Sequence, residues 1–245
     1  MRVAVITPYA GEPAETLARC CASVRAQTHP CTHVVVADGS PSAEVAGWAD
    51  QHLVLPRAHG DHGNTPRALG AISAWNQGFD AVAFLDADNW YAPDHVESLA
   101  GLCRREGLAV AFSDRHVVLQ DGEVVAGADP EDASRAHVDT SCMFFRSRAA
   151  FLTPAWAMMD QPLSAIGDRV MYALVKGSGL PHGWTGRRTV YYRSLYSCHY
   201  ALAGRPAPVR PHDVDLAAVL RAYSPDRCAE RLGFAIRFAG PASPG

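Results

Sequence analysis

Phe84-Leu85-Asp86-Ala87-Asp88-Asn89 joins an apolar run, typical of a buried β-strand, to two carboxylates separated by one residue. Residues two apart in a strand point the same way, so Asp86 and Asp88 could converge on one cation where the chain leaves a sheet. Hard carboxylate oxygens favour Mg²⁺ or Mn²⁺. Aspartates after a strand also cap helices and close turns, so this spacing fits a metal site and a structural turn equally. The flanking sequence has to decide between the two.

Strands and helices alternate up to this stretch. We expect strands over residues 3–7, 34–37, 52–55 and 81–85, and helices over residues 13–28, from Ser42 to Asp50, and from Thr65-Pro66 to about Gly78. Such alternation predicts a mostly parallel sheet with helices on both faces. Ligands of these sheets bind outside the carboxyl ends of the strands. Pro8, Asp38 and Asp86 all fall at such ends.

The pattern is less regular in the second half, and most of all past Gly127. It predicts a helix over residues 93–105, strands over 108–113 and 138–146 with a turn at 120–122 between them, and a helix over 164–175. Pro206, Pro208 and Pro211 predict a linker before C-terminal helices. We therefore expect the second half to form a surface different from that of the first half, on a part of the sheet that contains both parallel and antiparallel strands.

Composition narrows the class of protein. A chain of 245 residues that is 48% hydrophobic can bury one substantial core. From Lys176 onward ten basic and four acidic residues give a net charge of +6, against −9 for the first 175 residues. Seven cysteines without a CxxC pair indicate reduced thiols. With no signal-peptide or membrane-span pattern, the expected location is the cytoplasm, or the inner face of a membrane.

Four segments together resemble a family 2 glycosyltransferase of the GT-A fold. They are Val5-Ile6-Thr7-Pro8-Tyr9, Val35-Val36-Ala37-Asp38-Gly39-Ser40, residues 64–70, and the Phe84 to Asn89 stretch. The resemblance covers roughly residues 1–200 and depends on the order and spacing of all four segments. It implies a Rossmann-like, mostly parallel sheet in a GT-A domain over residues 1–205, with a nucleotide-binding half (1–100), an acceptor half (101–205) and a helical extension (206–245).

The resemblance implies an inverting, metal-dependent transfer of a sugar from a nucleotide-diphosphate donor, with UDP the expected nucleotide, to a hydroxyl of a glycan or lipid-linked glycan. The residues that it assigns to the nucleotide are Pro8, Tyr9, Glu12, Asp38, Asn64, Arg67 and Asp86. A carboxylate such as Asp38 is suited to uracil N–H or ribose hydroxyl donors, although Asp-Gly is also a turn pair. Rim packing for Tyr9 and a solvated surface position for Arg67 are equally open alternatives.

For the metal, the resemblance implies Asp88 as the direct ligand, Asp86 beside it, and His199 as a third ligand; a packed core histidine is the alternative for His199. His59 and His62 could also be read as an H-x-x-H metal pair, but no third ligand follows them. A divalent metal bound at Asp88 would stabilise the leaving nucleoside diphosphate.

For the catalytic base, the resemblance implies Asp168 in Ile166-Gly167-Asp168-Arg169-Val170, with Asp160 in reserve. The family places a second acidic residue immediately before the base, where this chain has Gly167. Asp168 could instead be a helix N-terminal residue that the helix dipole stabilises.

Two further residues are expected near the sugars. Asp139 falls where the family lines the donor sugar or acceptor, with a turn at a strand edge as the alternative. Trp184, expected in a glycine-rich loop over residues 181–186, could stack on a sugar.

Other classes of protein remain open or are disfavoured. A non-catalytic sugar-nucleotide or glycan-binding module of the same fold is one alternative. A sugar-phosphate nucleotidyltransferase is another, but its first loop needs basic residues and residues 7–13 contain none. Nothing predicts nucleic-acid binding. The sequence leaves open whether the chain forms a homo-oligomer. Residues 227–238 alternate arginines with apolar residues, a pattern that fits peripheral contact with a membrane surface.

Overall fold

The computed structural model describes residues 1–127, 130–224, 226 and 229–230. The interleaved segment 227–238 and Cys228 therefore lie outside the described residues, apart from residues 229–230. The other six cysteines are free thiols. None of the described helices is long and apolar enough to span a bilayer.

Strands and helices alternate through the first half, as the sequence predicts. In order they are β1 (Val3–Tyr9), α1 (Ala14–Arg25), β2 (Cys31–Asp38), β3 (Gln51–Leu55), α2 (Asn64–Asn76), β4 (Ala81–Phe84), β5 (Trp90–Tyr91) and α3 (His95–Glu106). Every residue of β1 is buried, because helices cover both faces of this part of the sheet. Leu17, Cys21 and Val24, which share one face of α1, are buried as well.

The second half contains one long strand pair and several short helices. Its elements are β6 (Val110–Val118), α4 (Pro130–Ala133), β7 (Met143–Arg146), α5 (Ala155–Met158), α6 (Gly167–Gly177), β8 (His182–Arg193), α7 (Ser197–Leu202) and α8 (Leu216–Ala222). Val214 and Val219, which lie beyond residue 205, pack against the same core as the sheet.

All eight strands join one sheet in the order β3-β2-β1-β4-β7-β6-β8-β5. The first four are parallel. β7 is antiparallel to both β4 and β6, β6 and β8 are parallel, and β5 is antiparallel to β8. A mostly parallel half joined to a mixed half is the predicted fold class.

Three sequence predictions of local structure are wrong. Ser42 does not cap a helix: a single 3₁₀ turn, Glu44–Gly47, follows, and the Ser42 hydroxyl donates to Glu44 instead. Helix α2 starts at Asn64 rather than at Pro66, because Gly63 adopts the left-handed conformation and turns the chain into the helix earlier. Trp184 lies in β8, not in a loop, because residues 182–184 pair with β6.

Two predicted elements are shorter than expected. The strand predicted from residue 138 begins at Met143, since Asp139 caps a 3₁₀ turn over Thr140–Cys142. The helix predicted from residue 164 begins at Gly167, after a 3₁₀ segment over Gln161–Ile166.

Helix α2 lies close to the sheet at Gly70. A Cβ at Gly70 would lie 2.5 Å from Cγ2 of Ile6 and 3.0 Å from Cγ2 of Val36. Both neighbours belong to buried central strands and have no room to retreat. The absence of a side chain at this position therefore sets the distance between α2 and strands β1 and β2.

We expect Gly70→Ala to destabilise the protein by about 1–3 kcal/mol, because overpacking outweighs the gain in helix propensity. Urea unfolding followed by circular dichroism would measure this. Gly101→Ala in α3 is the matched control, since its Cβ would meet only the flexible end of Arg105 at 3.3 Å. Equal stability of the two variants would contradict the prediction.

Candidate functional site

The carboxyl ends of β1, β2 and β4 meet at one edge of the sheet. Because these strands are parallel and adjacent, Tyr9 and Asp38, which end β1 and β2, and Asp86, which lies just beyond β4, are on the same edge. Pro8 reaches the start of α2: a Cβ at Gly63 would lie 3.0 Å from its Cγ. The structure thus places the sequence-predicted residues on the edge where ligands of such sheets bind.

Asp38 is buried, and both oxygens of its carboxylate accept hydrogen bonds from His59. Its carboxylate accepts from the backbone N–H of His59 at 3.0 and 3.2 Å, and Nδ1 of His59 lies 2.6 Å from Oδ1. Beneath it, a Cβ at Gly39 would lie 2.3 Å from the nitrogen of Ala58, and Gly39 has a φ of +79°. The loop after β3 is therefore held against the end of β2. This use of His59 leaves the H-x-x-H metal interpretation without support.

Tyr9 is also held by protein groups. Its hydroxyl accepts from the backbone N–H of Ser42 at 2.7 Å and lies 2.9 Å from Nε2 of His52, and its ring stacks on the His52 ring. Only 2% of the residue is exposed. This conformation favours the packing interpretation over base stacking. Nearby, Glu12 accepts from the backbone N–H of Ala10 and so shapes the loop after β1.

A buried polar chain connects α2 to the Asp86 carboxylate. The Arg67 guanidinium donates to Oδ1 of Asn64 at 2.9 Å and to Oδ1 of Asp86 at 2.6 Å, and it lies 4.7 Å from the centre of the Trp156 ring. Asn64 in turn donates to the Ser164 carbonyl. Arg67 is 3% exposed, so the interpretation of a solvated surface arginine is wrong.

Gly167 has a packing role. A Cβ at this position would lie 2.8 Å from Oδ1 of Asn64 and 3.0 Å from the Trp156 ring. Any side chain there would displace the two groups that hold Arg67. This contact explains why an acidic residue is absent directly before Asp168.

Asp88 lies among like charges. Burial raises the pKa of Asp88 to about 7, with the neighbouring carboxylates of Asp86 and Asp139 adding to the effect. Two hard carboxylates two residues apart after β4 suit a divalent cation, which would favour the ionised form of Asp88. Among the residues that the structure describes, however, no three His, Cys, Asp or Glu side chains form a group that could hold a metal.

His199 is not brought into such a group with Asp86 and Asp88. It lies in α7, 3% exposed, with Nδ1 2.6 Å from the Ser194 hydroxyl. Its ring meets those of Tyr192 and Tyr196 edge-on. This packing matches the core-histidine alternative, and the ligand role stays a prediction.

Asp168 lies in the first turn of α6 and faces a cavity of about 400 Å³. The cavity is also lined by residues of β6 and β8 and of the segments before β7, α7 and α8, among them Arg115, Tyr192, Asp139, Tyr196 and Val214. A quarter of the Asp168 side chain is exposed. Asp160, the reserve candidate, precedes the 3₁₀ segment over residues 161–166 and does not line this cavity.

An ionic network surrounds Asp168. Its Oδ2 lies 2.6 Å from Nε2 of His137, whose Nδ1 lies 3.2 Å from Oδ1 of Asp132. Arg115 donates to Asp132 at 2.7 Å and to Asp139 at 3.2 Å. Burial opposes the charged form of Asp168, but His137 and the Arg169 N–H outweigh it and lower the pKa of Asp168.

Asp139 has two roles in this network. It caps the turn before β7 by accepting from the Ser141 N–H at 2.9 Å, which matches the predicted turn alternative, and it pairs with Arg115. Burial raises the pKa of Asp139, and the charges of Asp86 and Asp168 add to this against Arg115. The charges of both Asp86 and Asp168 thus act on Asp139.

Trp184 packs against protein groups. Its ring lies 4.9 Å from that of Phe112, 6.0 Å from that of Tyr172, and 5.2 Å from the Arg135 guanidinium. The side chain is half-buried between them. Sugar stacking by Trp184 stays a prediction.

Sequence reasoning missed the partners of Asp168. His137, Asp132 and Arg115 belong to no motif, and they come from three separate elements or connections. The only local signal is the spacing of His137 and Asp139 around a buried valine. Spacing of this kind is too common to identify a site.

The fold is similar to that of known protein structures. Three Staphylococcus aureus TarS structures resemble it: TarS itself (TM-score 0.60, 14% identity, 82% of this chain and 38% of that chain), TarS 1–349 with UDP (0.60, 14%, 82% and 63%) and TarS 1–349 with UDP-GlcNAc (0.61, 15%, 91% and 65%). The chain thus spans between about two fifths and two thirds of these structures. No curated protein sequence matches it.

The family itself follows from the sequence match. The model of "Glycosyl transferase family 2" matches residues 4–170, more than half of the chain. The chain therefore belongs to glycosyl transferase family 2. The predicted family and the GT-A-type fold are confirmed.

We expect Gly167→Ala to lower the melting temperature and to loosen the Asn64–Arg67–Asp86 chain, because the new methyl group lies within 3.1 Å of both Asn64 side-chain ends. Overpacking of this kind costs about 1–3 kcal/mol. Differential scanning fluorimetry would measure it.

Gly177→Ala, at the other end of α6, is the matched control, since nothing lies within 4 Å of its Cβ. It should be neutral or slightly stabilising. A Gly167→Ala variant as stable as this control would show that the Asn64 contact is unimportant.

Proposed function

We propose that this protein transfers a sugar with inversion from a UDP-sugar to a hydroxyl of a glycan or lipid-linked glycan. The observation that carries the proposal is that Asp139 and Asp168, from separate elements, line one cavity of about 400 Å³, while the charge of Asp86 acts on Asp139 and the charges of Asp86 and Asp139 act on Asp88. The TarS structures with UDP and with UDP-GlcNAc support the choice of nucleotide.

Asp168 is the proposed base. It is partly exposed to the cavity, and its lowered pKa keeps it ionised at neutral pH. It would accept the proton of the acceptor hydroxyl as that oxygen bonds to the anomeric carbon and the bond to the donor diphosphate breaks. Attack opposite the leaving group inverts the anomeric configuration.

Asp88, with Asp86, is the proposed site of a divalent cation. The two carboxylates are hard oxygen ligands. Burial, with the charges of Asp86 and Asp139 added to it, raises the pKa of Asp88, and a bound cation would favour the ionised form. When bound, Mn²⁺ or Mg²⁺ would stabilise the charge of the leaving diphosphate. His199 as a further ligand, and Pro8, Tyr9, Glu12, Asp38, Asn64 and Arg67 as residues that position the nucleotide, belong to the same proposal.

A non-catalytic binding module was the main alternative because Gly167 replaces an acidic residue. The contact of Gly167 with Asn64 and Trp156 gives a structural reason for that glycine. The alternative consequently loses its main support. The proposed division at residues 100 and 205 assigns the nucleotide to the first half and the acceptor to the second.

We expect UDP with Mn²⁺ to raise the melting temperature more than GDP, CDP or TDP, because a ligand that binds only the native state stabilises it. When the nucleotide concentration is a hundred times Kd, the free energy of unfolding increases by about 2.7 kcal/mol. Scanning fluorimetry with each diphosphate, with Mn²⁺ or with a chelator, would test this. Equal shifts for all four nucleotides would contradict the choice of UDP, and an unchanged shift in chelator would contradict the metal.

We expect Asp88→Asn to abolish the Mn²⁺-dependent shift with UDP and to lower UDP release from UDP-GlcNAc by more than about 100-fold, since metal stabilisation of a leaving group is worth several kcal/mol. Asp121→Asn, an exposed carboxylate paired with Arg205, is the control and should change neither.

The same variant tests the electrostatics without any ligand. Folding raises the pKa of Asp88 from 3.8 to about 7. Ionisation of Asp88 therefore opposes folding. As the pH rises from 3.8 to about 7, the wild-type protein should lose stability relative to Asp88→Asn. Above pH 7 the metal-free variant should melt at a higher temperature than wild type. If Asp88→Asn melted at a lower temperature than the wild-type protein at pH 8, the unfavourable ionisation of Asp88 in the folded state would be contradicted.

A further inference from the structure

His137 is the side chain that holds Asp168, and nothing in the expected roles of the family's residues accounts for it. It lies between two carboxylates, with Nε2 2.6 Å from Oδ2 of Asp168 and Nδ1 3.2 Å from Oδ1 of Asp132. The residue is 7% exposed, so water offers little competition for either contact. Both ring nitrogens are therefore committed to acidic partners.

This geometry determines the protonation state of the ring. A neutral imidazole has one N–H and one bare nitrogen, and a bare nitrogen facing an ionised carboxylate is repelled. Only the imidazolium donates from both nitrogens. Three carboxylates, Asp132, Asp139 and Asp168, face one permanent cation, Arg115, in this network, so a second positive charge also reduces the buried charge imbalance.

The remaining groups around His137 act on its charge in both directions. Burial lowers its pKa, Arg115 opposes a second cation, and Asp168 and Asp132 outweigh both, raising the pKa of His137 to about 9. Arg169 and Tyr196 face Asp168 from α6 and from the turn before α7, and Glu131, which pairs with Arg169, lines the same cavity.

The network also anchors His137 in place. Asp132 is fixed on its far side by Arg115, which lies 4.3 Å from the centre of the Tyr192 ring. His137 thus cannot swing away from Asp168 without breaking its contact to Asp132. On the other side, Oδ1 of Asp168 accepts from the Arg169 N–H at 2.7 Å, which fixes the plane of the carboxylate.

We propose that His137 is a positioning residue that, as an imidazolium clamped by Asp132, holds the Asp168 carboxylate ionised and directed into the cavity. This inference rests on the proposed role of Asp168 as the base. His137 takes no proton from the substrate, because both of its nitrogens already carry one. Its effect is to fix the orientation of Asp168 and to keep Asp168 ionised at lower pH.

The first test is direct and needs no substrate. Side-chain ¹⁵N–¹H NMR of the wild-type protein should show one of the eleven histidines as an imidazolium at pH 7.5, with a titration midpoint near 9. Asp168→Asn should lower the midpoint of that same ring by more than about one pH unit, because it removes a charge in direct contact. Eleven midpoints all below about 7.5 would overturn the proposal.

The second test uses the pH dependence of UDP release from UDP-GlcNAc with water as the acceptor. His137→Gln keeps a neutral N–H donor towards Asp168 but loses the charge, so burial is no longer outweighed and the pKa of Asp168 rises. The acidic limb of the kcat profile should move up by more than about one pH unit, with kcat reduced about 10- to 100-fold and KM for UDP-GlcNAc within about twofold. His29→Gln is the control, since His29 does not line this cavity.

The outcomes separate this inference from the proposed function. If Asp168→Asn keeps full turnover, the assignment of the base fails, whereas the NMR titration still reports on the clamp. If Asp168→Asn is inactive but His137→Gln has an unshifted acidic limb, the base stands and the proposal for His137 is overturned. Should His137→Gln not fold, His137→Asn and the wild-type titration decide.

Discussion

Repulsion among carboxylates is the constraint that organises this site. Asp86, Asp88 and Asp139 lie where β4 ends and β7 begins, and Asp168 of α6 lines the same cavity as Asp139. Burial together with like charge raises the pKa of Asp88 and of Asp139. Each carboxylate that is directly paired has its own cation: Arg67 for Asp86, Arg115 for Asp139 and His137 for Asp168. Among the described residues no such ion pair neutralises Asp88, and its pKa is the one raised to about 7.

The cations are themselves immobilised, and this connects the two halves of the chain. Arg67 is held by Asn64 and covered by Trp156, while Asn64 donates to the carbonyl of Ser164. Gly167 leaves the space that this arrangement needs. The helix that carries Asp168 therefore packs directly on the group that holds Asp86. A substitution in one half would be felt by the carboxylates of the other, because buried side chains have little room to relax.

Local sequence patterns predicted the parallel half of the fold well. The β-branched runs of β1 and β2 and the apolar run of β4 are continuous because both sheet faces are covered, and such runs are unambiguous when turn residues bound them. The second half was harder to predict. The 3₁₀ turns around residues 140–142 and 161–166 depend on Asp139 and on neighbouring packing, and the glycines near Trp184 resembled a loop although pairing with β6 makes the segment a strand.

Local patterns in the sequence were enough to predict the alternation of strands and helices and the ends of the strands, and so to place Asp38 and Asp86 at strand ends, because side-chain periodicity and turn residues are local properties. The order and spacing of short motifs were enough to identify the family. The folded chain was needed to show that Arg67 is buried against Asp86, that Tyr9 and Trp184 pack against protein groups, and that His137 joins Asp132 to Asp168. Those contacts join residues from different elements, and their energies depend on burial and on neighbouring charge, which no local pattern encodes.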